Sequence, residues 1–133
     1  MMEDAPYSVI RAGEQERSQR GTIALEGEPY GSRVSLFLID YHQPGEGPVL
    51  HKHPYPETWI VRNGNARFTV EDQELEAGSG DIVVVSGETP HKFKNLGPDS
   101  LDIICIHPSP LFIQEDLEMR TTQWCEAVTR PSF

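Results

Sequence analysis

The sequence predicts a small all-β protein with a single domain, on three observations. Short runs with β-type alternation follow one another from Arg33 onward, and Gly, Pro, Asn and Asp separate them. Eleven Gly and eleven Pro against 24% charged residues describe a turn-rich soluble chain rather than a helical bundle or a disordered one. A length of 133 residues suits one hydrophobic core and is too short for two domains of ordinary size.

Residues 1–20, including the polar stretch Glu14 to Arg20, keep no clean period and are expected to form an N-terminal arm, of the kind that often pairs with a partner subunit. The barrel is assigned to residues 21–113. Its strand-like runs are Val34 to Tyr41, Val49 to His53, Thr58 to Arg62, Ala66 to Val70, Asp81 to Val85, His91 to Lys94 and Leu101 to His107. Pro108-Ser109-Pro110 closes the last run. Residues 114–133, acidic and carrying Leu117, Trp124 and Val128, are read as an irregular or helical C-terminal segment packed on the barrel.

Asn63-Gly64 is the strongest local turn signal, because both residues tolerate the positive φ of a type I′ turn. A hairpin centred there sets Val61 against Ala66, Trp59 against Phe68 and Glu57 against Val70. Those six residues then share one face, which is apolar except for the carboxylate. A lone ionised Glu in such surroundings is costly unless something cationic meets it. The opposite face carries Thr58, Arg62, Asn65, Arg67 and Thr69, with Ile60 as its apolar member.

The formal net charge of −10 is spread along the chain, and the three lysines and eight arginines form no cluster, so nucleic acid is not expected as a partner. Apolar runs such as Ile82 to Val85 are far shorter than the ~18 residues of a membrane span, and the N-terminus has no basic segment before an apolar one, so no membrane association and a cytoplasmic location are expected. Cys105 and Cys125 belong to no metal or disulfide spacing, and both are read as buried or idle thiols.

His51 and His53, two residues apart, point to the same side of a strand. If that strand lies in a small barrel, both imidazoles enter the lumen, where Glu57 and His91 from neighbouring strands supply a carboxylate and a third imidazole. His91 shares its face with Phe93 and Asn95, opposite Lys92 and Lys94. His42 and His107 fit no spacing and are read as strand-end surface residues.

Written out, the spacing is Gly45, five residues, His51, one residue, His53, three residues, Glu57, six residues, Gly64. It resembles the first conserved motif of the cupin superfamily at every position. A second stretch, Gly80-Asp81 through Ser86-Gly87-Glu88-Thr89-Pro90-His91 to Asn95, resembles the second cupin motif. It departs in carrying Ser86 where the usual pattern has Pro and Glu88 where it has Gly, and Gly87 is expected to supply the positive φ of the turn.

The resemblance implies a jelly-roll barrel of the small single-domain (monocupin) type. It also implies one divalent transition metal, Fe, Mn, Ni, Zn or Cu, held by His51, His53, Glu57 and His91. Three neutral imidazoles and one carboxylate leave one or two positions open in a five- or six-coordinate sphere. The inward residues Trp59, Val61, Phe68 and Phe93 serve as core and as candidate lining of a substrate pocket. Tyr55 is a candidate substrate contact or proton donor, and Glu88 a second candidate catalytic group at the rim. Function is expected to be metal-dependent chemistry of dioxygenase, isomerase or decarboxylase type on a small oxygen-bearing substrate. The alternative is a non-catalytic small-molecule-binding or sensing module. Small members of the family commonly pair as homodimers, for which the arm and Ile60 are candidates.

Overall fold

The computed structural model describes residues 5–119. Ten strands occupy them: β1 Thr22–Leu25, β2 Ser35–Tyr41, β3 His51–Lys52, β4 Glu57–Asn63, β5 Asn65–Val70, β6 Gln73–Gly78, β7 Ile82–Val85, β8 His91–Asn95, β9 Leu101–His107 and β10 Glu115–Asp116. Among the described residues the helical content is limited to two single turns of 3-10 helix, Ala12–Glu14 and Glu28–Tyr30. All strand pairing is antiparallel, in two five-stranded sheets of order β1-β2-β9-β4-β7 and β10-β3-β8-β5-β6. This is the jelly-roll arrangement expected of the sequence.

Every run read from the sequence lies on a strand, with ends moved by a residue or two. The short β1 and β10 and the polar β6 had no such reading. Strand β6, Gln-Glu-Leu-Glu-Ala-Gly, forms an edge of its sheet, where charged side chains guard the unpaired backbone.

Asn63-Gly64 does not close a hairpin. Both edges of β4 are occupied, by β7 and by β9, so β5 has no place beside it and joins the other sheet. Only Gly64 takes a positive φ, +87°, whereas a type I′ turn needs two such residues. A Cβ on Gly64 would lie 2.3 Å from the Ser100 carbonyl oxygen, so the crossing between sheets demands glycine. The facing argument nevertheless holds, because alternation is a property of each strand whichever strand it pairs with. Glu57, Trp59, Val61, Ala66 and Phe68 are all buried between the two sheets.

The core between the sheets is aromatic at its centre. Trp59 meets Phe68 edge-on at 5.1 Å, and Phe68 lies 5.4 Å from Phe93. Leu101, Ile103 and Cys105 of β9 close the space from the neighbouring strand. The arm is tied down at its end, where Arg20 donates to the Gly47 carbonyl at 3.0 Å and sits over the Tyr41 ring. At the other end Phe112 stacks on Phe37 at 4.1 Å, so residues 108–113 cross one mouth of the barrel. Of the predicted C-terminal segment, Glu115–Asp116 adds a short strand beside β3, while Trp124 and Val128 lie outside the described residues.

Candidate metal centre

The two sheets contribute to one cluster from opposite sides. His51 begins β3 and pairs across the ladder with His91, the first residue of β8. His53 follows two residues later on the same inward side, and its backbone carbonyl accepts from the Glu88 N–H at 2.6 Å. Glu57 begins β4 in the facing sheet. All four are buried, at 5%, 1%, 4% and 2% exposure for His51, His53, Glu57 and His91. One ligating atom from each lies within 4.8 Å of all the others.

The imidazoles are fixed by the same device. Nδ1 of His51 lies 2.6 Å from the Val49 carbonyl, Nδ1 of His53 2.7 Å from that of Ile113, and Nδ1 of His91 2.8 Å from that of Thr89. A carbonyl only accepts, so each Nδ1 carries the proton and each Nε2 of the neutral ring presents a lone pair to the interior. Nε2 of His53 and of His91 then stand 2.9 and 3.2 Å from Glu57 Oε1. Lone pairs and a carboxylate oxygen at that separation repel one another unless a cation lies among them.

The cation is a proton or a metal ion, and the donor set favours the metal. Burial, reinforced by the neighbouring His91, lowers the pKa of His51 to about 3, so this ring stays neutral and ligating at ordinary pH. Burial alone would raise the Glu57 pKa, but the surrounding imidazoles, His107 foremost, outweigh it and hold the carboxyl well below its usual range. Nε2 of His53 is buried with no partner at hydrogen-bonding angle, despite its distance from Glu57. Bonds of ~2.0–2.2 Å put opposed ligands up to ~4.4 Å apart, so a 4.8 Å cluster needs only slight contraction to hold one ion. A buried cluster of three imidazole nitrogens and one carboxylate oxygen thus fits a divalent transition metal.

His107 is not a surface residue. It is 1% exposed, with Nε2 3.0 Å from Glu57 Oε2 and Nδ1 2.6 Å from the Tyr55 hydroxyl. Tyr55 accepts from the Ile113 N–H at 3.2 Å, so its own O–H is free to donate to Nδ1, which leaves the His107 N–H facing the carboxylate. The Nε2 contact is short but poorly angled, an electrostatic pairing rather than a well-formed hydrogen bond. Glu57 thereby turns Oε1 toward His53 and His91 and Oε2 toward His107. The signal was in the sequence: Leu101, Ile103 and Cys105 point inward, and the same parity continues to His107. His42 is exposed, beside Ser100, as expected.

The remaining candidates lie around this cluster in different ways. Tyr55 stacks flat on His53, with 5.1 Å between centroids, and burial raises its hydroxyl pKa. Its oxygen is engaged by His107 and Ile113, so its visible role is to hold the ligand side of the site. Glu88 is exposed and pairs with Lys52 at 3.2 Å, on the outward side of β3, and its carboxylate is not among the converging donors. Glu88 itself takes the positive φ, +61°, whereas Gly87 does not, contrary to the expectation that Gly87 would serve the turn. Gly87 answers a different need, since a Cβ there would lie 2.9 Å from the Pro54 carbonyl oxygen. Trp59, Val61, Phe68 and Phe93 are packed in the core, and Trp59 supports His91 edge-on at 5.1 Å. Cys105 is buried, and burial holds its thiol protonated.

Fold and site together define a small β-sandwich protein with a buried cluster of three histidines and one glutamate. A family model described as "Cupin domain" matches residues 40–107, just over half of the chain, and the protein belongs to that family. An uncharacterized protein of Methanocaldococcus jannaschii is 32% identical over 76 residues, which cover 56% of this chain and 60% of that protein. Among solved structures, a variant of Bacillus subtilis oxalate decarboxylase aligns with a TM-score of 0.72 at 23% identity, over 85% of this chain and 33% of that one. Lactobacillus farciminis oxalate decarboxylase in complex with formate aligns at 0.66 and 20%, over 77% and 33%. A further Bacillus subtilis oxalate decarboxylase structure, described for its Mn(II) centres, aligns at 0.65 and 20%, over 77% and 30%. The chain thus spans about three fifths of the relative it matches and a third of these enzymes. At such identities the structures establish the shared fold.

Proposed function

We propose that this protein is a metal-dependent enzyme acting on a small oxygen-bearing substrate, with chemistry of decarboxylase, dioxygenase or isomerase type. The observation that carries the reading is the convergence of His51, His53, Glu57 and His91, each Nδ1 tied to a backbone carbonyl and each Nε2 directed at one point. A divalent ion held there supplies Lewis acidity, and electron transfer as well if it is redox-active. The protein's part is to keep the His51 imidazole neutral by burial, to turn one carboxylate oxygen of Glu57 toward the same point as the imidazoles, and to exclude bulk water through the aromatic core and Phe112. Four ligands leave room for a bidentate molecule such as a diketone, catechol or hydroxy acid. The oxalate decarboxylases with the same fold make oxalate a natural addition to that group. A phosphorylated sugar fits poorly, because Lys52 is committed to Glu88 and Glu115 on the outer side.

The test is turnover by protein loaded separately with Mn(II) and Fe(II), offered oxalate, diketones, catechols and thiols, with carbon dioxide release and oxygen uptake both followed. Turnover abolished by Glu57→Gln supports the reading. Tight binding of one such molecule without turnover would instead make the protein a binding or sensing module.

A further inference from the structure

Glu57 closes a circuit of polar contacts that runs outside the four-residue cluster. From Glu57 Oε2 it passes to His107 Nε2 at 3.0 Å, from His107 Nδ1 to the Tyr55 hydroxyl at 2.6 Å, and from that oxygen to the Ile113 N–H at 3.2 Å. It returns from the Ile113 carbonyl to His53 Nδ1 at 2.7 Å, and from His53 Nε2 to Glu57 Oε1 at 2.9 Å. The donors on the far side follow one order: the Ile113 N–H donates to the Tyr55 oxygen, and the Tyr55 O–H to His107 Nδ1, so His107 turns an N–H toward Oε2. Among the described residues this Nε2 has no other polar partner. Its ring is held by aromatic neighbours. Phe37 and Phe112, stacked on each other at 4.1 Å, meet it edge-on at 5.3 and 5.0 Å, and His53 meets it edge-on at 4.7 Å.

We propose that His107, aligned by Tyr55, is a positioning residue that keeps Glu57 a one-oxygen ligand and so leaves two coordination positions open for a chelating substrate. This role rests on the metal-dependent function proposed above. A carboxylate binds an ion through one oxygen or through both. In a six-coordinate sphere three imidazoles and one oxygen leave two positions, and a second carboxylate oxygen would take one of them. A bidentate substrate needs both. The four ligands by themselves allow either arrangement: His53 and His91 face Oε1, and Oε2 can follow it to the ion unless something holds it back. His107 is placed to do so. Its N–H attracts Oε2 toward β9, and turning that oxygen to the ion would strand the N–H at a residue 1% exposed, a state folded proteins avoid. His107 ends β9, outside the stretches that carry the four ligands, so this control comes from a strand that supplies no ligand of its own.

The test loads the full chain with Mn(II) and counts the water oxygens on the ion, from the broadening of its electron paramagnetic resonance lines in water enriched in the magnetic oxygen isotope. Two waters are expected in wild type and one in His107→Phe, where the carboxylate closes on the ion. His107→Gln, whose amide again donates to Oε2, is expected to restore the wild-type count. A merely space-filling role would make Phe the better replacement and leave the count unmoved. Tyr55→Phe removes the hydroxyl that sets the His107 tautomer while keeping a ring to stack on His53. It too is expected to lose a water, and it carries the test if far-ultraviolet dichroism shows His107→Phe to be unfolded. The wild-type count in Mn(II)-loaded His107→Phe or Tyr55→Phe overturns the proposal, and so does a single water in wild type. A wild type that binds no Mn(II) overturns this role together with the metal reading beneath it, which keeps the two failures apart.

Discussion

Replacing Glu57 by Gln removes the charge from the centre of the cluster while keeping the shape of the side chain. If Glu57 is a metal ligand, the ion loses its one anionic donor. Removing groups that merely support ligands costs 10–100-fold in affinity, so loss of a ligand itself should cost at least ~100-fold. With free metal at 100 times the wild-type dissociation constant, binding adds about 2.7 kcal/mol to wild-type stability, whereas a ~100-fold weaker site gains only about 0.4 kcal/mol. An unfolding entropy of ~2.1 cal/mol/K per residue gives about 0.28 kcal/mol per degree for 133 residues. The metal should therefore raise the wild-type Tm by about 10 °C and that of Glu57→Gln by no more than ~2 °C. Scanning calorimetry of each protein with and without metal measures this, and each variant serves as its own reference, so any change in metal-free stability cancels. A variant that kept the full rise would show Glu57 to be merely an ion-pair partner of the histidines, and the reasoning would fail.

Three other expectations follow from single residues. His51 has a folded pKa of about 3 against an ordinary value of 6.5, so between those limits the unfolded chain binds the proton that the folded one refuses. Its contribution is fully present above pH 6.5 and is lost as pH falls toward 3, at about 1.4 kcal/mol per pH unit; Glu57, with its lowered pKa, adds a loss of the same sign near the bottom of that range. Denaturant titrations of metal-free protein should show this slope, and a flat profile in that window would contradict it. Glu88→Gly should be at least ~0.5 kcal/mol more stable than Glu88→Ala in chemical denaturation, because glycine relieves a left-handed backbone that costs other residues ~1–2 kcal/mol and the Lys52 pair is exposed. Equal stabilities would argue against strain at that turn. Gly64→Ala should destabilise by more than ~2 kcal/mol, since its Cβ would meet the Ser100 carbonyl oxygen; a normal Tm for this variant would refute the close crossing.

How far the sequence revealed this arrangement depended on which property each residue expressed. Alternation within a strand is local, so the inward set from Glu57 to Phe68 was readable even though the pairing imagined for it was wrong. Pairing is not local: β4 and β5 look like a hairpin at Asn63-Gly64 until β7 and β9 claim both edges of β4. The metal cluster was legible because its spacing sits on recognisable motifs and because a carboxylate on an apolar face calls for a cation. His107 escaped because it belongs to neither motif, and parity along β9 would have found it. In β9 both faces are apolar, with Ile104 and Ile106 turned outward, which blurs the alternation that parity relies on.

The central claim is that His51, His53, Glu57 and His91 hold a divalent transition metal. Elemental analysis of protein purified without an affinity tag addresses it most directly, with wild type set beside the His51→Ala/His91→Ala double variant. About one equivalent of a single transition metal per chain is expected in wild type and none in the double variant. A wild type without stoichiometric metal, or a double variant that retained it, would contradict the account.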